Sequence, residues 1–251
     1  MTIARLHRAG SEALILFVHG LGCAKESFAA AFERPEIAGY ALLAPDFPGC
    51  GDSPLPPGAT PDMESYARVL RDLVADYAPA RLHIVAHSMG AAPALLLARQ
   101  ADIGLASFVN IEGNLVAEDA GMLSRRTAET PLAEFVAEKY AKLLARAAGA
   151  EDAGMRAWAD WLGRCAPETY HAMSASLVAW SDSGRLLEIF AGLAVPKLYV
   201  CGDRSADPDV LRYLDAIPKL TIPDCGHFVM SERPDAFYGA LADFLAAAEA
   251  G

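Results

Sequence analysis

The sequence predicts an α/β fold, a mostly parallel sheet with helices on both faces, and three observations carry that prediction. Short apolar runs such as Ala13 to Val18, Leu82 to Ala86 and Ala106 to Ile111 lack alternation, as strands buried on both faces do. Stretches of helical period separate them, and this alternation is the pattern of crossover connections. The 251 residues are 53% hydrophobic and 21% charged, ample for one large core.

Taken in order, a short hairpin over 2–8 and 11–18 is expected to begin the sheet, followed by a strand at Tyr40 to Leu43. The clearest helix is Asp62 to Tyr77. Met63, Tyr66, Ala67, Leu70, Leu73, Val74 and Tyr77 recur at steps of three and four, opposite Glu64, Arg68, Arg71, Asp72 and Asp76. Thr60 and Pro61 supply its start signal. The strand Leu82 to Ala86 leads into a helical run from Ala91 to Ala101, and the strand Ala106 to Ile111 comes next. Strands then read at Lys197 to Cys201 and Lys219 to Ile222. A last helix spans about Pro234 to Ala248, with Phe237, Leu241, Phe244 and Leu245 inward.

Between Glu112 and Leu193 no strand is apparent. Pro131 to Ala147, Ala153 to Arg164 and Pro167 to Ala179 are helical in period, and the stretch holds all three tryptophans, Trp158, Trp161 and Trp180. The expected organisation is a core of 1–112 and 194–251 with a helical insertion at 113–193.

Four motifs lie at strand ends. Ala86-His87-Ser88-Met89-Gly90 joins a strand to a helix through a tight turn with serine at its apex, which forces the hydroxyl into a strained, exposed position. Ala86 replaces the usual first glycine of G-x-S-x-G. Phe17-Val18-His19-Gly20-Leu21-Gly22 ends an earlier strand, and Asp46-Phe47-Pro48-Gly49-Cys50-Gly51-Asp52-Ser53 forms a turn-rich loop. Asp224-Cys225-Gly226-His227-Phe228 precedes the last helix. As an ordered set over nearly the whole chain, these motifs resemble the α/β-hydrolase superfamily. The resemblance implies that 113–193 is a helical cap, or lid, inserted after the strand that the family counts as its sixth. It further implies a serine carboxylic-ester hydrolase acting through an acyl-enzyme on a small-molecule substrate with a mostly apolar acyl group. Carbon–carbon hydrolases, hydroxynitrile lyases, perhydrolases and slow-turnover ligand receptors share the arrangement and are the alternatives.

An alcohol is a poor nucleophile at neutral pH, so Ser88 needs a base. Of six histidines, His227 stands in the loop that brings an imidazole above the elbow in this fold. His19 and His87 belong to turn motifs and His83 to a strand interior, while His7 and His171 have no supporting context. The third member would orient the imidazole. Where the family most often carries this acid, the chain reads Gly202-Asp203-Arg204-Ser205, a serine flanked by Asp203 and Asp207. Glu112, directly after Phe108-Val109-Asn110-Ile111, resembles the acid of the haloalkane dehalogenase and Renilla luciferase branches. Glu112 is favoured, with Asp203 and Asp207 as alternatives. The resemblance places an oxyanion hole at the backbone N–H groups of Leu21 and Met89. Gly22, Phe28 and Phe228 are candidate substrate contacts, and Met89 is a plausible pocket wall. No metal or organic cofactor is expected.

The net charge of −11 disfavours phosphates and anionic membranes, and no basic cluster tracks aromatic residues, so nucleic acid is excluded. Five cysteines without a C-x-x-C pair argue against a disulfide framework or zinc site. Cys23, Cys50 and Cys225 read as small apolar fillers near the mouth. The N-terminus lacks a signal-peptide core, and no apolar run reaches the roughly 20 residues that span a bilayer. A cytoplasmic protein is expected, as a monomer or a homodimer.

Overall fold

A computed structural model describes residues 2–100 and 102–250. Its seven-stranded sheet runs in the order β1-β3-β2-β4-β5-β6-β7. The strands are β1 (Arg5–Arg8), β2 (Ala13–Val18), β3 (Ala41–Pro45), β4 (Arg81–His87), β5 (Leu105–Ile111), β6 (Lys197–Gly202) and β7 (Lys219–Ile222). All pairs are parallel except β1–β3. Every residue of β2 is buried, as is every residue of β4 after Arg81, so these central strands need no polar face. The strand that the resemblance counts as sixth is β5 here.

The expected hairpin at the start of the sheet does not form. β1 pairs antiparallel with β3, from Arg5 opposite Pro45 to Arg8 opposite Leu42, and β3 stands between β1 and β2. The connection instead crosses the start of β3, where Ser11 N–H donates to the Gly39 carbonyl at 3.3 Å. A strand buried on both faces needs a partner on each edge, and β2 takes β3 and β4.

Helix α1 (Met63–Tyr77) starts at Asp62, whose carboxylate accepts Ser65 N–H at 2.7 Å while Ser65 Oγ accepts Asp62 N–H at 3.2 Å. This reciprocal cap sets the start more directly than Pro61 does. α2 (Ala91–Ala98) follows the elbow; Ala101, where its predicted run ends, lies outside the described residues. Six helices fill the segment after β5: α3 (Gly121–Glu129), α4 (Leu132–Glu134), α5 (Tyr140–Ala148), α6 (Ala153–Leu162), α7 (Pro167–Asp182) and α8 (Arg185–Gly192). A π-helical turn, Phe135–Lys139, joins α4 to α5 and interrupts the single helix expected there. α9 (Pro208–Leu211) and α10 (Val229–Glu232) are single turns. α11 (Pro234–Ala250) closes the chain with Phe237, Tyr238, Leu241 and Leu245 buried and Phe244 half-buried.

The inserted helices sit on the core through specific polar contacts. Trp180 Nε1 donates to Glu64 at 3.0 Å, and Ser176 Oγ accepts Met63 N–H at 3.1 Å. Arg164, after α6, reaches Glu26 at 2.7 Å and Asp52 at 3.2 Å. No helix among the described residues is long and apolar enough to cross a membrane.

Candidate active site

Parallel strands end at one edge of the sheet, so residues far apart in sequence meet there. Ser88 follows β4 with φ at 52°, a left-handed value that costs a non-glycine residue strain. Two glycines make that turn possible by close approach. A Cβ on Gly90 would lie 2.5 Å from the His19 carbonyl oxygen, and one on Gly20 would lie 2.9 Å from Ser88 Cβ. The His19-Gly20-Leu21 turn therefore runs directly against the elbow. Leu21 N–H has no hydrogen-bond partner among the described residues. Met89 is fully buried.

Glu112 follows β5 in a second left-handed conformation, φ 43°. Its N–H donates to Val200 O at 2.9 Å, and Asn114 N–H donates to Ser88 O at 3.3 Å, tying the two strand ends together. His227 Nδ1 lies 2.7 Å from Glu112 Oε2, with the imidazole 38% exposed and the carboxylate 9%. The other carboxylate oxygen, Oε1, accepts Gly202 N–H at 2.8 Å and the Ser205 hydroxyl at 2.5 Å. With its lone pairs occupied, this carboxylate has little freedom to turn. An acceptor facing Nδ1 fixes the proton there and leaves Nε2 as the basic nitrogen.

Asp203 and Asp207 do other work. Asp203 accepts Cys225 N–H at 3.2 Å, and Asp207 caps α9 through Asp209 N–H at 2.9 Å. The Ser88 hydroxyl makes no hydrogen bond among the described residues, and it reaches neither His227 nor Glu112 through one. Its neighbour His87 supplies the link to the histidine loop. His87 Nε2–H donates to the His227 carbonyl at 3.0 Å, and the two rings lie 4.6 Å apart. Burial and the nearby His227 push the His87 pKa well down, so it is a neutral donor.

The remaining candidates divide. Phe228 packs against His87, His227 and Trp161 at 5.2, 5.4 and 6.1 Å between centroids, beside the histidine. Phe28 is fully buried with its ring 5.0 Å from Phe17, packed into the core. It lies on a 3₁₀ segment, Lys25–Glu33, that turns this side chain onto the sheet. Gly22 faces Leu162, Tyr170 and Trp158 of the inserted helices. Cys23, Cys50 and Cys225 are buried, and burial raises the Cys23 thiol and brings the Cys225 thiol to about 11, away from nucleophilic use. No group of three or more His, Cys, Asp or Glu side chains among the described residues is placed to hold a metal.

Three contributors escape a reading of the sequence. Glu232, on α10, accepts Gly226 N–H at 2.9 Å and Phe228 N–H at 3.1 Å, bracketing His227. Ser205 stands where the resemblance expects an acid and donates to Glu112. Trp158 Nε1 donates to Leu21 O at 2.8 Å, so α6 holds the turn beside the elbow. Below that turn, His19 accepts Phe47 N–H at Nε2, 3.1 Å, and donates from Nδ1 to Gly20 O, 2.9 Å. Asp46 accepts Lys25 N–H at 2.6 Å and pairs with Lys25 Nζ at 2.9 Å, fixing the same turns from beneath.

Residues 15–240 match the model of the alpha/beta hydrolase family. The chain is 26% identical over 254 residues to the mouse (Mus musculus) sn-1-specific diacylglycerol lipase ABHD11, covering 92% of this chain and 80% of the relative. Among solved structures it resembles a thermophilic esterase from Thermogutta terrifontis, with TM-score 0.79, 22% identity, and 98% and 93% of the two chains covered. It also resembles the N-acyl homoserine lactonase AidH, with TM-score 0.74, 19% identity, and coverage of 98% and 93%. At such identities the structural likeness speaks for the fold, while the family match spans most of the sequence. The chain belongs to the alpha/beta hydrolase family.

Proposed function

We propose that this protein is a serine hydrolase of carboxylic esters, with Ser88 as nucleophile, His227 as general base and Glu112 as the carboxylate that orients the base. The observation that carries the reading is the 2.7 Å contact between His227 Nδ1 and Glu112 Oε2, set beside a serine at a strained strand–helix turn. Ser88 Oγ attacks the ester carbonyl carbon as its proton passes to His227 Nε2. The tetrahedral oxyanion is held by the N–H groups of Leu21 and Met89; losing one donor of this kind costs about 10²–10³ in rate. Collapse expels the alcohol, which takes the proton from His227. Water, activated by the same imidazole, then attacks the acyl-enzyme, releases the carboxylic acid and restores Ser88. A loose serine–histidine contact in the absence of substrate is common, because such bonds tighten when substrate binds.

The names of the mouse lipase, the Thermogutta esterase and the lactonase share one chemistry, attack on an ester carbonyl, and this supports the same bond for this chain. Residues 113–193 serve as the cap over the site, with Gly22 and Phe228 bordering a small-molecule substrate. Steady turnover of p-nitrophenyl acetate and butyrate, abolished in Ser88→Ala, is the expected result. Turnover that persists in Ser88→Ala, or none at all in the wild type, contradicts it.

A further inference from the structure

The inserted helices line an open cavity of about 940 Å³ whose lining comes entirely from residues 123–158, so it belongs to the insertion alone. Its volume lies in the range of about 300–1,000 Å³ typical of small-molecule sites. The floor is apolar. Phe135, Ala147 and Trp158 are buried there, and Met155 and Leu143 are half-buried. A ligand that wets this floor needs an apolar body.

The rim has the opposite character, with Arg126, Lys139, Lys142 and Arg146 all exposed along it. Lys139 pairs with Glu134 at 2.8 Å and Lys142 with Glu138 at 3.2 Å. The guanidinium groups of Arg126 and Arg146 have no carboxylate partner among the described residues. The two glutamates are thus taken up by the two lysines, which leaves the two guanidinium groups as the unpaired charges of this mouth. On a chain of net charge −11 such a local excess of cations is against the trend. A planar guanidinium suits a carboxylate better than an ammonium does, because it donates two parallel N–H groups.

We propose that this cavity binds a monocarboxylate with an apolar tail, the tail on the Phe135–Trp158 floor and the carboxylate between Arg126 and Arg146. The site needs neither Ser88 nor His227 and does not depend on the hydrolase reading. Trp158 is its wall on the side of the His19-Gly20-Leu21 turn, since its indole also binds Leu21 O.

The test is calorimetric titration of the wild-type protein with decanoate below its micelle concentration, with tryptophan fluorescence as a second readout. Saturable one-to-one binding is expected, with decan-1-ol bound at least ten-fold more weakly. The double variant Arg126→Ala/Arg146→Ala should lose at least ten-fold in decanoate affinity while unfolding at the wild-type temperature. Absence of saturable binding, or equal affinity for the alcohol, overturns the proposal on the wild-type protein alone. A folded double variant that binds decanoate unchanged overturns the placement of the carboxylate.

Discussion

At two places among the described residues a histidine meets a glutamate with a serine nearby. At one edge of the sheet stand Ser88, His227 and Glu112, with His227 38% exposed and the Ser88 hydroxyl without a hydrogen bond among the described residues. Within the sheet, His83 Nδ1 lies 2.8 Å from Ser107 Oγ and His83 Nε2 lies 3.3 Å from Glu249 on the last helix. By hydrogen bonding alone the second set looks more like a catalytic relay. Yet His83 and Ser107 are opposed residues of neighbouring strands, both fully buried, where no substrate can reach them. Burial lowers the pKa of His83 against the pull of Glu249 and keeps it neutral. What separates the two sets is backbone and access. Ser88 sits at φ 52° on a turn at the strand ends, and Ser107 lies inside a regular strand.

The largest expected effect separates the two serines. Ser88→Ala should cut ester turnover by on the order of 10⁴–10⁶. Ser107→Ala should leave kcat within about two-fold and lower stability by about 1–3 kcal/mol in urea unfolding, because a buried imidazole loses its partner. Equal losses of activity from the two would erase the distinction.

Next come the carboxylates. Glu112→Gln should lower kcat by up to about 10⁴, as removing the acid does in other triads. Asp203→Asn, which disturbs the carboxylate's bonds to backbone N–H groups of its own loop and of the histidine loop, should change kcat by less than about three-fold, well under the cost of a lost catalytic group. The reverse pattern would place the acid after β6.

A smaller effect is expected from Glu232→Ala. This residue touches no reacting atom; it braces the two N–H groups that flank His227. Misplacing the imidazole by a fraction of an ångström should cost about 10–10² in kcat with KM little changed. Glu232→Gln, which keeps an acceptor, should restore part of that loss, and rescue of this kind separates positioning from general destabilisation.

The smallest effect concerns the seam between core and insertion. Burial alone would raise the Glu26 pKa, but the bonds from Arg164 and Lys25 outweigh it and hold the carboxyl at about 2. A depressed carboxyl contributes its full stability above the unfolded value, about 4.3, and loses it as pH falls towards about 2. Arg164→Met should therefore flatten the acid limb of a stability–pH profile between those values and leave stability near pH 2 nearly unchanged. Glu26 is partly exposed, so the shift should be modest and should shrink with salt.

The comparison of the two sets also explains what could be read from the sequence. The central strands and α1 were legible because burial on one or both faces writes itself into local periodicity. Ser88, His227 and Glu112 stand in short motifs whose backbone demands, a tight turn or a strand end, are local as well. The pairing of β1 was not legible, because which strand lies beside another depends on β3 arriving from elsewhere in the chain. Phe28 looks alike in sequence whether it lines a pocket or fills a core. Glu232 acts on backbone N–H groups, which carry no side-chain signature, and Ser205 registered only as the absence of an acid. The π-helical turn at Phe135–Lys139 leaves the apolar period almost unchanged while breaking the helix.

The central claim is that Ser88 becomes acylated because His227, steadied by Glu112, accepts its proton. It is tested most directly by rapid quench of the enzyme with p-nitrophenyl butyrate followed by mass spectrometry of its peptides. A butyryl group is expected on the peptide containing Ser88 in the wild type, with much slower acylation in Glu112→Gln. Sustained turnover with that peptide unmodified, or acylation of Ser88 as fast in Glu112→Gln as in the wild type, would contradict it.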